Sequence, residues 1–154
     1  MVNPAAHQKL GFEIREVKTP AERRDFDRVL HRAFSRSHVE KIRTYDSWYR
    51  NHRRFVAYLE DGRAVGTGML AQNNASGEHA VLRIAVEDDL RSQGIASGIV
   101  ARIEEEAKKM GLTALVSYCT ESLLRFYGRF GYKPVEREDI SATDEPSWKI
   151  QKKL

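Results

Sequence analysis

The sequence of 154 residues contains a single cysteine, no long apolar run and no clustering of metal-binding side chains. Cys119 cannot form a disulfide within the chain, and we expect a small buried side chain rather than a nucleophile. No apolar stretch approaches the roughly 20 residues of a membrane-spanning helix, and residues 1–10 lack the core of a signal peptide. The five histidines are scattered, so we expect no metal. These absences predict a cytoplasmic location.

The net charge of +4 is unevenly distributed. Residues 1–54 carry 13 Lys and Arg against 7 Asp and Glu, a net charge of +6, which leaves −2 for the rest of the chain. An excess of basic residues can attract an anionic partner. No nucleic-acid motif accompanies it, however, so a solvated arginine-rich helix face is the preferred interpretation and nucleic-acid binding the weaker one.

The length predicts one domain over residues 1–154, with residues 1–11 flexible. Apolar residues alternate with polar ones in some segments and recur at helical spacing in others, which predicts an α/β or α+β fold around a mixed sheet. Asp61 and Gly62 predict a hairpin with a type I′ turn, and Thr19, Pro20 and Glu22 predict a capping box. The predicted strands cover residues 12–17, 54–59, 63–71, 79–86, 112–118, 132–137 and 148–152. The predicted helices start at residues 20, 45, 95 and 121, and end near residues 34, 52, 110 and 130.

Residues 79–110 organise the chain. Among the first eight residues, apolar side chains occur at both odd and even positions, which indicates a strand covered on both faces. An apolar stripe then recurs every fourth residue along a helix that ends at Gly111. The turn between them contains Gly94 and Ala96 and leaves backbone N–H groups bare at the helix start, which favours binding of an anion. The alternative is an ordinary tight turn.

Two motifs carry a resemblance to a known family. Arg91-Ser92-Gln93-Gly94-Ile95-Ala96 resembles the Arg/Gln-x-x-Gly-x-Gly/Ala signature of the GNAT superfamily of acetyl-coenzyme A dependent N-acetyltransferases. The segment from Tyr127 to Tyr132 resembles the Tyr-x-x-x-Gly-Phe/Tyr ending of that family's last helix. The resemblance covers roughly residues 12–154. It implies a mixed, mostly antiparallel seven-stranded sheet flanked by about four helices, with the fourth and fifth strands parallel and splayed apart.

The resemblance also implies an activity: transfer of an acetyl group from acetyl-coenzyme A, the co-substrate, to a primary amine by direct attack in a ternary complex. The pyrophosphate would lie over the turn from Arg91 to Ser97, and the strand backbone of Ile84 and Val86 would pair with the pantetheine arm. The implied cofactor-binding residues are Ile84, Ala85, Val86, Arg91, Ser92, Gln93, Gly94, Ile95, Ala96 and Ser97. A non-catalytic module that binds acetyl-coenzyme A as a sensor or scaffold is the alternative.

Tyr127 matches the general acid of the family. A general acid in this reaction protonates the departing thiolate of coenzyme A. The pKa of a phenol, near 10, and that of a thiol, near 8.5, differ only modestly. Tyr127 also shares a helical face with Leu123, Leu124 and Phe130, so a core aromatic is the alternative interpretation.

The general base is harder to find. Relatives often place a carboxylate or histidines on the fourth strand, where this chain has the apolar Ala80 and Leu82. Glu78, on the same strand face, is the candidate base acting through water. His79 is expected on the opposite face, and a solvated strand end is the alternative for both residues.

The acceptor amine is not identified by the sequence. In such folds the acceptor pocket is framed by two loops, here residues 36–43 and 136–145. The second loop is acidic, which suits a cationic amine such as a polyamine, an aminosugar, or a lysine or N-terminal amine of a protein, although a solvated acidic loop is the preferred interpretation. No membrane partner is expected, and a homodimer is left open.

Overall fold

The computed structural model describes residues 10–34, 40, 43–138 and 146–154. Its seven strands are β1 (Phe12–Glu16), β2 (Tyr49–Leu59), β3 (Ala64–Asn73), β4 (His79–Val86), β5 (Ala114–Thr120), β6 (Lys133–Glu138) and β7 (Ser147–Lys153). They form one mixed sheet in the order β1-β2-β3-β4-β5-β7-β6. β4 and β5 are parallel and the other neighbours are antiparallel, which confirms the predicted fold class.

The described helices are α1 (Pro20–Ala33), α2 (Ile95–Lys109) and α3 (Leu124–Gly128), and residues 43–46 are also helical. α1 begins at the predicted capping box. The Thr19 hydroxyl accepts from the Glu22 amide at 3.1 Å, and the Glu22 carboxylate accepts from the Thr19 amide at 3.1 Å. α2 ends where Gly111 adopts a left-handed φ of 80°, as its position predicts.

The sheet separates two apolar layers. On one face α1 packs against β2, β3 and β4, and on the other face α2 and α3 cover the sheet. The α1 layer is built from Phe26, Val29, Leu30, Val56, Met69, Ala80, Leu82 and Val116. The α2 layer is built from Phe55, Val65, Val81, Ile95, Ile99, Ile103, Leu115 and Tyr127. β4 is therefore covered on both faces, as its sequence predicts.

Two glycines of β3 allow α2 to approach the sheet closely. A Cβ atom at Gly66 would lie 2.9 Å from both the Ile95 Cγ2 and the Ile99 Cδ1 atoms. A Cβ atom at Gly68 would also fall within hard contact of Ile99. Larger residues at these positions would push α2 outward, and with it the helix start that follows β4.

The helix predicted over residues 45–52 is wrong in its second half. Within that range only residues 45 and 46 are helical, and Tyr49 already pairs with Asn73 as the first residue of β2. A bulge follows, in which Asn51 adopts a φ of 56°. A bulge interrupts the two-residue alternation that identifies a strand from its sequence, which explains the error.

The β2–β3 connection is a hairpin, but the predicted type I′ turn is wrong. Gly62 has a φ of 87°, whereas Asp61 does not adopt a positive φ. The Gly62 amide donates to the Leu59 carbonyl at 2.9 Å, and the Leu59 amide donates to the Arg63 carbonyl at 2.9 Å. The loop thus has three residues, with a left-handed glycine after the turn.

The last helix is shorter than predicted because a 3₁₀ turn, Glu121–Leu123, precedes it. The tighter turn changes which side chains face inward. Tyr127 is buried, but Leu123 is 44% exposed, so its predicted core position is wrong. The predictions for residues 1–11, 36–43 and 138–145 fall largely outside the described residues.

Arg53 links three elements at the edge of the α2 layer. Its Nη2 atom donates to Glu16 Oε1 in β1 at 2.7 Å and to Glu106 Oε2 in α2 at 2.9 Å, and its Nε atom donates to Glu16 Oε2 at 2.9 Å. These bonds lower the pKa of both carboxyl groups. A carboxyl pKa that is lower in the folded state contributes stability above its unfolded value, and this contribution disappears as the pH falls through the folded value.

We predict that Arg53→Met lowers the free energy of unfolding by about 2 kcal/mol at neutral pH, because hydrogen bonds to charged groups are lost from two largely buried carboxylates. Below about pH 4.5 the difference in free energy of unfolding between the parent and the variant should become smaller as Glu16 and Glu106 are protonated. Urea denaturation at several pH values measures both effects. Arg63→Met, which breaks an exposed pair with Asp89, is the control and should leave the free energy of unfolding nearly unchanged. If this difference in free energy of unfolding stayed constant down to pH 3, Arg53 would not act through the ionised carboxylates of Glu16 and Glu106.

Candidate active site

β4 and β5 share a single backbone pairing, between Ala80 and Val116. The Ser117 hydroxyl strengthens this junction by donating to the Val81 carbonyl at 2.6 Å. Within these two strands, both of which are described in full, no pairing continues beyond that point. The strands therefore diverge toward their carboxyl ends and leave a gap in the middle of the sheet.

The backbone of β4 faces this gap at Ile84 and Val86. The Glu87 amide donates to the Val65 carbonyl of β3 at 2.9 Å. Backbone groups alternate in direction along an antiparallel strand, so those of Val86 and Ile84 turn away from β3 and toward β5. Ala85, which pairs with Thr67, turns toward β3 instead.

A bulge in β4 sets this arrangement. Arg83 adopts a left-handed φ of 59°, and its carbonyl accepts a hydrogen bond from the Thr67 hydroxyl at 2.8 Å. The bulge places Leu82 and Arg83 on the same face of the sheet, the α1 face, and restores the alternation at Ile84. Bulges re-aim side chains in this way near many active sites.

The start of α2 lies next to the carboxyl end of β4. Gly94 is its N-cap residue, with a φ of 84°, and no side chain caps the helix. The first helical bond joins the Gly98 amide to the Gly94 carbonyl at 3.0 Å, so the amides of Ile95, Ala96 and Ser97 have no partner within the helix. The first turn also contains no acidic residue. This helix start favours an anion.

The turn before α2 is exposed from Arg91 to Gly94. A Cβ atom at Gly94 would meet nothing within 4 Å, so the space above this glycine is open. Arg91 forms an exposed ion pair with Asp88 at 2.8 Å. Of the predicted anion-binding residues, the structure thus brings Arg91 to Ser97 together in one accessible turn.

Tyr127 lies on the α2 face, beside β5. Its side chain is buried, with its hydroxyl close to the side chains of Ser117 and Cys119. Burial is the main cause that raises the pKa of this phenol, so it stays protonated at neutral pH. Ser117 is the residue that also holds the junction between β4 and β5, and Tyr127 is therefore adjacent to the base of the gap.

Glu78 lies on the α1 face, at the start of β4. Its Oε1 atom accepts a hydrogen bond from the Lys149 ammonium at 2.8 Å. Lys149 pairs with Tyr118 across β7 and β5, which places an acidic, a basic and a phenolic side chain together on this face. Burial raises the pKa of Tyr118, and the charge of Glu78 adds to the effect.

The sequence matches the GNAT acetyltransferase family model over residues 20–132. The chain belongs to this family. It is an acyltransferase, as the resemblance implies, and both motifs lie within the matched range. Among curated proteins, no sequence matches it significantly.

Solved structures show the same GNAT fold. An acyl-coenzyme A N-acyltransferase from Pseudomonas aeruginosa superposes with a TM-score of 0.75 at 17% identity, over 93% of this chain and 99% of that protein. A GNAT acetyltransferase from Staphylococcus aureus Mu50 gives a TM-score of 0.72 at 14% identity, over 94% and 99%. An acetyltransferase from Streptococcus agalactiae gives a TM-score of 0.68 at 18% identity, over 94% and 99%.

Two features of this GNAT site were not predicted from the sequence. The Glu78–Lys149 pair requires β7 to insert between β5 and β6, and no local pattern reveals that order. The position of Arg83 on the α1 face depends on the bulge, whose only sequence signal is a charged residue within an otherwise apolar strand. Within the described residues, no group of three or more potential ligands is arranged for a metal ion, and no helix is long and apolar enough to cross a membrane.

Proposed function

We propose that this GNAT protein transfers an acetyl group from acetyl-coenzyme A to a primary amine by direct attack in a ternary complex. One observation carries the proposal: the gap between β4 and β5 lies next to an uncapped helix start. A gap with exposed strand amides suits an extended arm that itself contains amides. A bare helix N-terminus suits the pyrophosphate attached to that arm.

In this proposal the residues of the turn, Arg91 to Ser97, hold the pyrophosphate. The amides of Gln93 to Ser97 supply hydrogen bonds, and Arg91 supplies a charge-assisted contact. Ile84 and Val86 align the pantetheine arm through their backbone groups, and Ala85 belongs to the same strand without facing the gap. Bound acetyl-coenzyme A supplies an acetyl group activated as a thioester.

Tyr127 is the proposed general acid. Its buried hydroxyl remains protonated at neutral pH and lies beside Ser117, at the base of the gap. Tyr127 would give its proton to the departing thiolate of coenzyme A. The same low-polarity surroundings disfavour a charged thiolate, so burial raises the pKa of the phenol and of the thiol together.

Glu78 is the proposed general base, acting through water. An alkylamine near pKa 10 is about three units above neutral pH, and removing its proton costs roughly 4 kcal/mol. Glu78 lies on the α1 face with one oxygen held by Lys149, and among the described residues no hydrogen bond engages its other oxygen. The alternative is that no protein base acts and the solvent accepts the proton.

We predict that Gly94→Val weakens coenzyme A binding at least tenfold, because a non-glycine residue resists the φ of 84° and a side chain would enter the open space above the turn. The matched control is Gly111→Val, which has a φ of 80° and open space at the other end of α2. Calorimetric titration and thermal unfolding separate the effects: both variants should lose similar stability, and only the Gly94 variant should lose affinity. Equal affinity for coenzyme A in all three proteins would remove the turn from the site.

Removing the Tyr127 hydroxyl tests the general acid. Tyr127→Phe should lower kcat by roughly 10²- to 10⁴-fold, the usual effect of losing an acid catalyst, while coenzyme A affinity is unchanged. The control is Tyr132→Phe, which removes a buried hydroxyl that donates to Glu104 at 2.9 Å and should affect stability more than turnover. If Tyr127→Phe keeps turnover within about twofold under saturating substrates, Tyr127 is a packing residue only.

A pH series of turnover tests Glu78. In Glu78→Gln the loss relative to the parent should be largest at low pH, where the amine is protonated, and should shrink as the pH approaches the amine pKa near 10. Glu105→Gln is the control, because Glu105 also forms an ion pair with a lysine, Lys109, but this pair is exposed on α2. Parallel pH profiles for the parent and Glu78→Gln would exclude Glu78 from the mechanism.

A further inference from the structure

A cavity of about 330 Å³ lies on the α1 face, beside β4. This volume is within the range of small-molecule sites, roughly 300 to 1,000 Å³. Its apolar part is formed by Phe26, Leu30 and Met69. Its charged part contains four arginines and two aspartates, namely Arg23, Arg43, Arg54, Arg83, Asp27 and Asp46. The charged side chains that line the cavity are therefore predominantly cationic.

Both aspartates already have an arginine partner. Asp27 accepts from the Arg23 guanidinium at 3.3 Å, and Asp46 accepts from the Arg83 guanidinium at 2.5 Å. Each carboxylate neutralises one of the four cations, so the cavity retains an excess of positive charge. Among the described residues, neither aspartate forms an ion pair with a second guanidinium.

Arg54 is compensated only by the longer-range charges of Asp46 and Asp27. It is half-buried, its Nη2 atom lies 3.3 Å from His52 Nδ1, and its guanidinium lies 5.9 Å from the centre of the Phe26 ring. Among the described residues, no carboxylate forms an ion pair with it. Burial and the nearby Arg23 charge lower the pKa of Arg54, and the charges of Asp46 and Asp27 only partly oppose this shift. A buried charge is costly unless it is paired, so this position favours an anion from outside the chain.

The cavity adjoins the proposed reaction site through Arg83. The bulge at this residue directs its side chain into the cavity, and the next residue, Ile84, turns its backbone to the gap. A molecule that fills the cavity therefore lies on the α1 side of β4, beside the gap. This is also the face on which Glu78 lies.

We propose that this cavity binds an anionic group of the acceptor, so the acceptor is a small primary amine that also carries a carboxylate or a phosphate. Arg54 binds the anion, Arg23 and Arg83 add to its field, and the apolar residues contact the carbon chain. The inference rests on the proposed function, since it takes an amine to be the acceptor. It differs from the cationic acceptor that the acidic loop suggests.

The test compares primary amines whose second functional group is anionic, neutral or cationic. Free thiol released from acetyl-coenzyme A is followed with ω-amino carboxylates of increasing chain length, with their carboxamides, with aminoalkyl phosphates and with diamines. The parent should prefer the carboxylate or the phosphate over the carboxamide by about 10- to 100-fold in kcat/KM, as expected for a hydrogen bond to a charged group. The better of the two anionic series identifies the group.

Two variants connect this preference to the cavity. Arg54→Gln should reduce the preference to within about threefold while turnover of the neutral carboxamide is preserved. Arg23→Gln, at a more exposed position on α1, should reduce it by a smaller factor and guards against misfolding of the Arg54 variant. The control is Arg50→Gln, an exposed arginine of the same strand β2 that does not line the cavity.

A binding measurement separates this inference from the proposed function. Butanoate and inorganic phosphate are added to the parent and to Arg54→Gln, and thermal unfolding is recorded. If these anions stabilise the parent but not Arg54→Gln, the result supports the anion site, even if no amine is acetylated. A failure to acetylate any amine would instead overturn the proposed function. Turnover of carboxamides or diamines as fast as carboxylates and phosphates, or equal stabilisation of the parent and Arg54→Gln, would overturn the anion site.

Discussion

One backbone pairing, Ala80 with Val116, joins the two halves of the sheet. Beyond it, the backbone groups of β4 that face β5 have no strand partner, and buried groups of this kind are costly unless water or a ligand reaches them. The position of β4 is set from both faces, by isoleucines of α2 on one and by α1 on the other. The glycines of β3 strengthen this constraint by letting α2 sit close to the sheet. The gap is therefore built into the packing.

The bulge at Arg83 has two effects on β4, one on its backbone groups and one on the Arg83 side chain. Its left-handed backbone resets the alternation, so that Ile84 and Val86 present backbone groups to the gap. It also turns one guanidinium to the opposite layer, where Asp46 binds it. A regular strand would place the side chain of residue 83 in the apolar α2 layer, where a guanidinium would be costly. The open strand edge and the charged cavity thus depend on one irregular residue.

The parts of the fold that the sequence predicts are those set by neighbours in the chain. The capping box at Thr19, the bounds of β4, the stripe of α2 and its stop at Gly111 all depend on local spacing. The errors occur where tertiary contacts decide the conformation. Tyr49 joins β2 because β3 offers it a partner, and Leu123 turns outward because a 3₁₀ turn precedes α3. The Glu78–Lys149 pair depends on the order of strands, which no local pattern encodes.

Several arginines of the basic first third of the chain form ion pairs within the protein. Arg53 is held between Glu16 and Glu106, Arg28 pairs with Asp25, and Arg23 pairs with Asp27. Charges engaged in this way contribute little to a field that would attract a nucleic acid, and the exposed pairs are screened by salt. Arg54 differs from these exposed or paired arginines, because it is half-buried and lines a cavity. A cation in that position can select a small anionic ligand, because low surrounding polarity strengthens its attraction at short range.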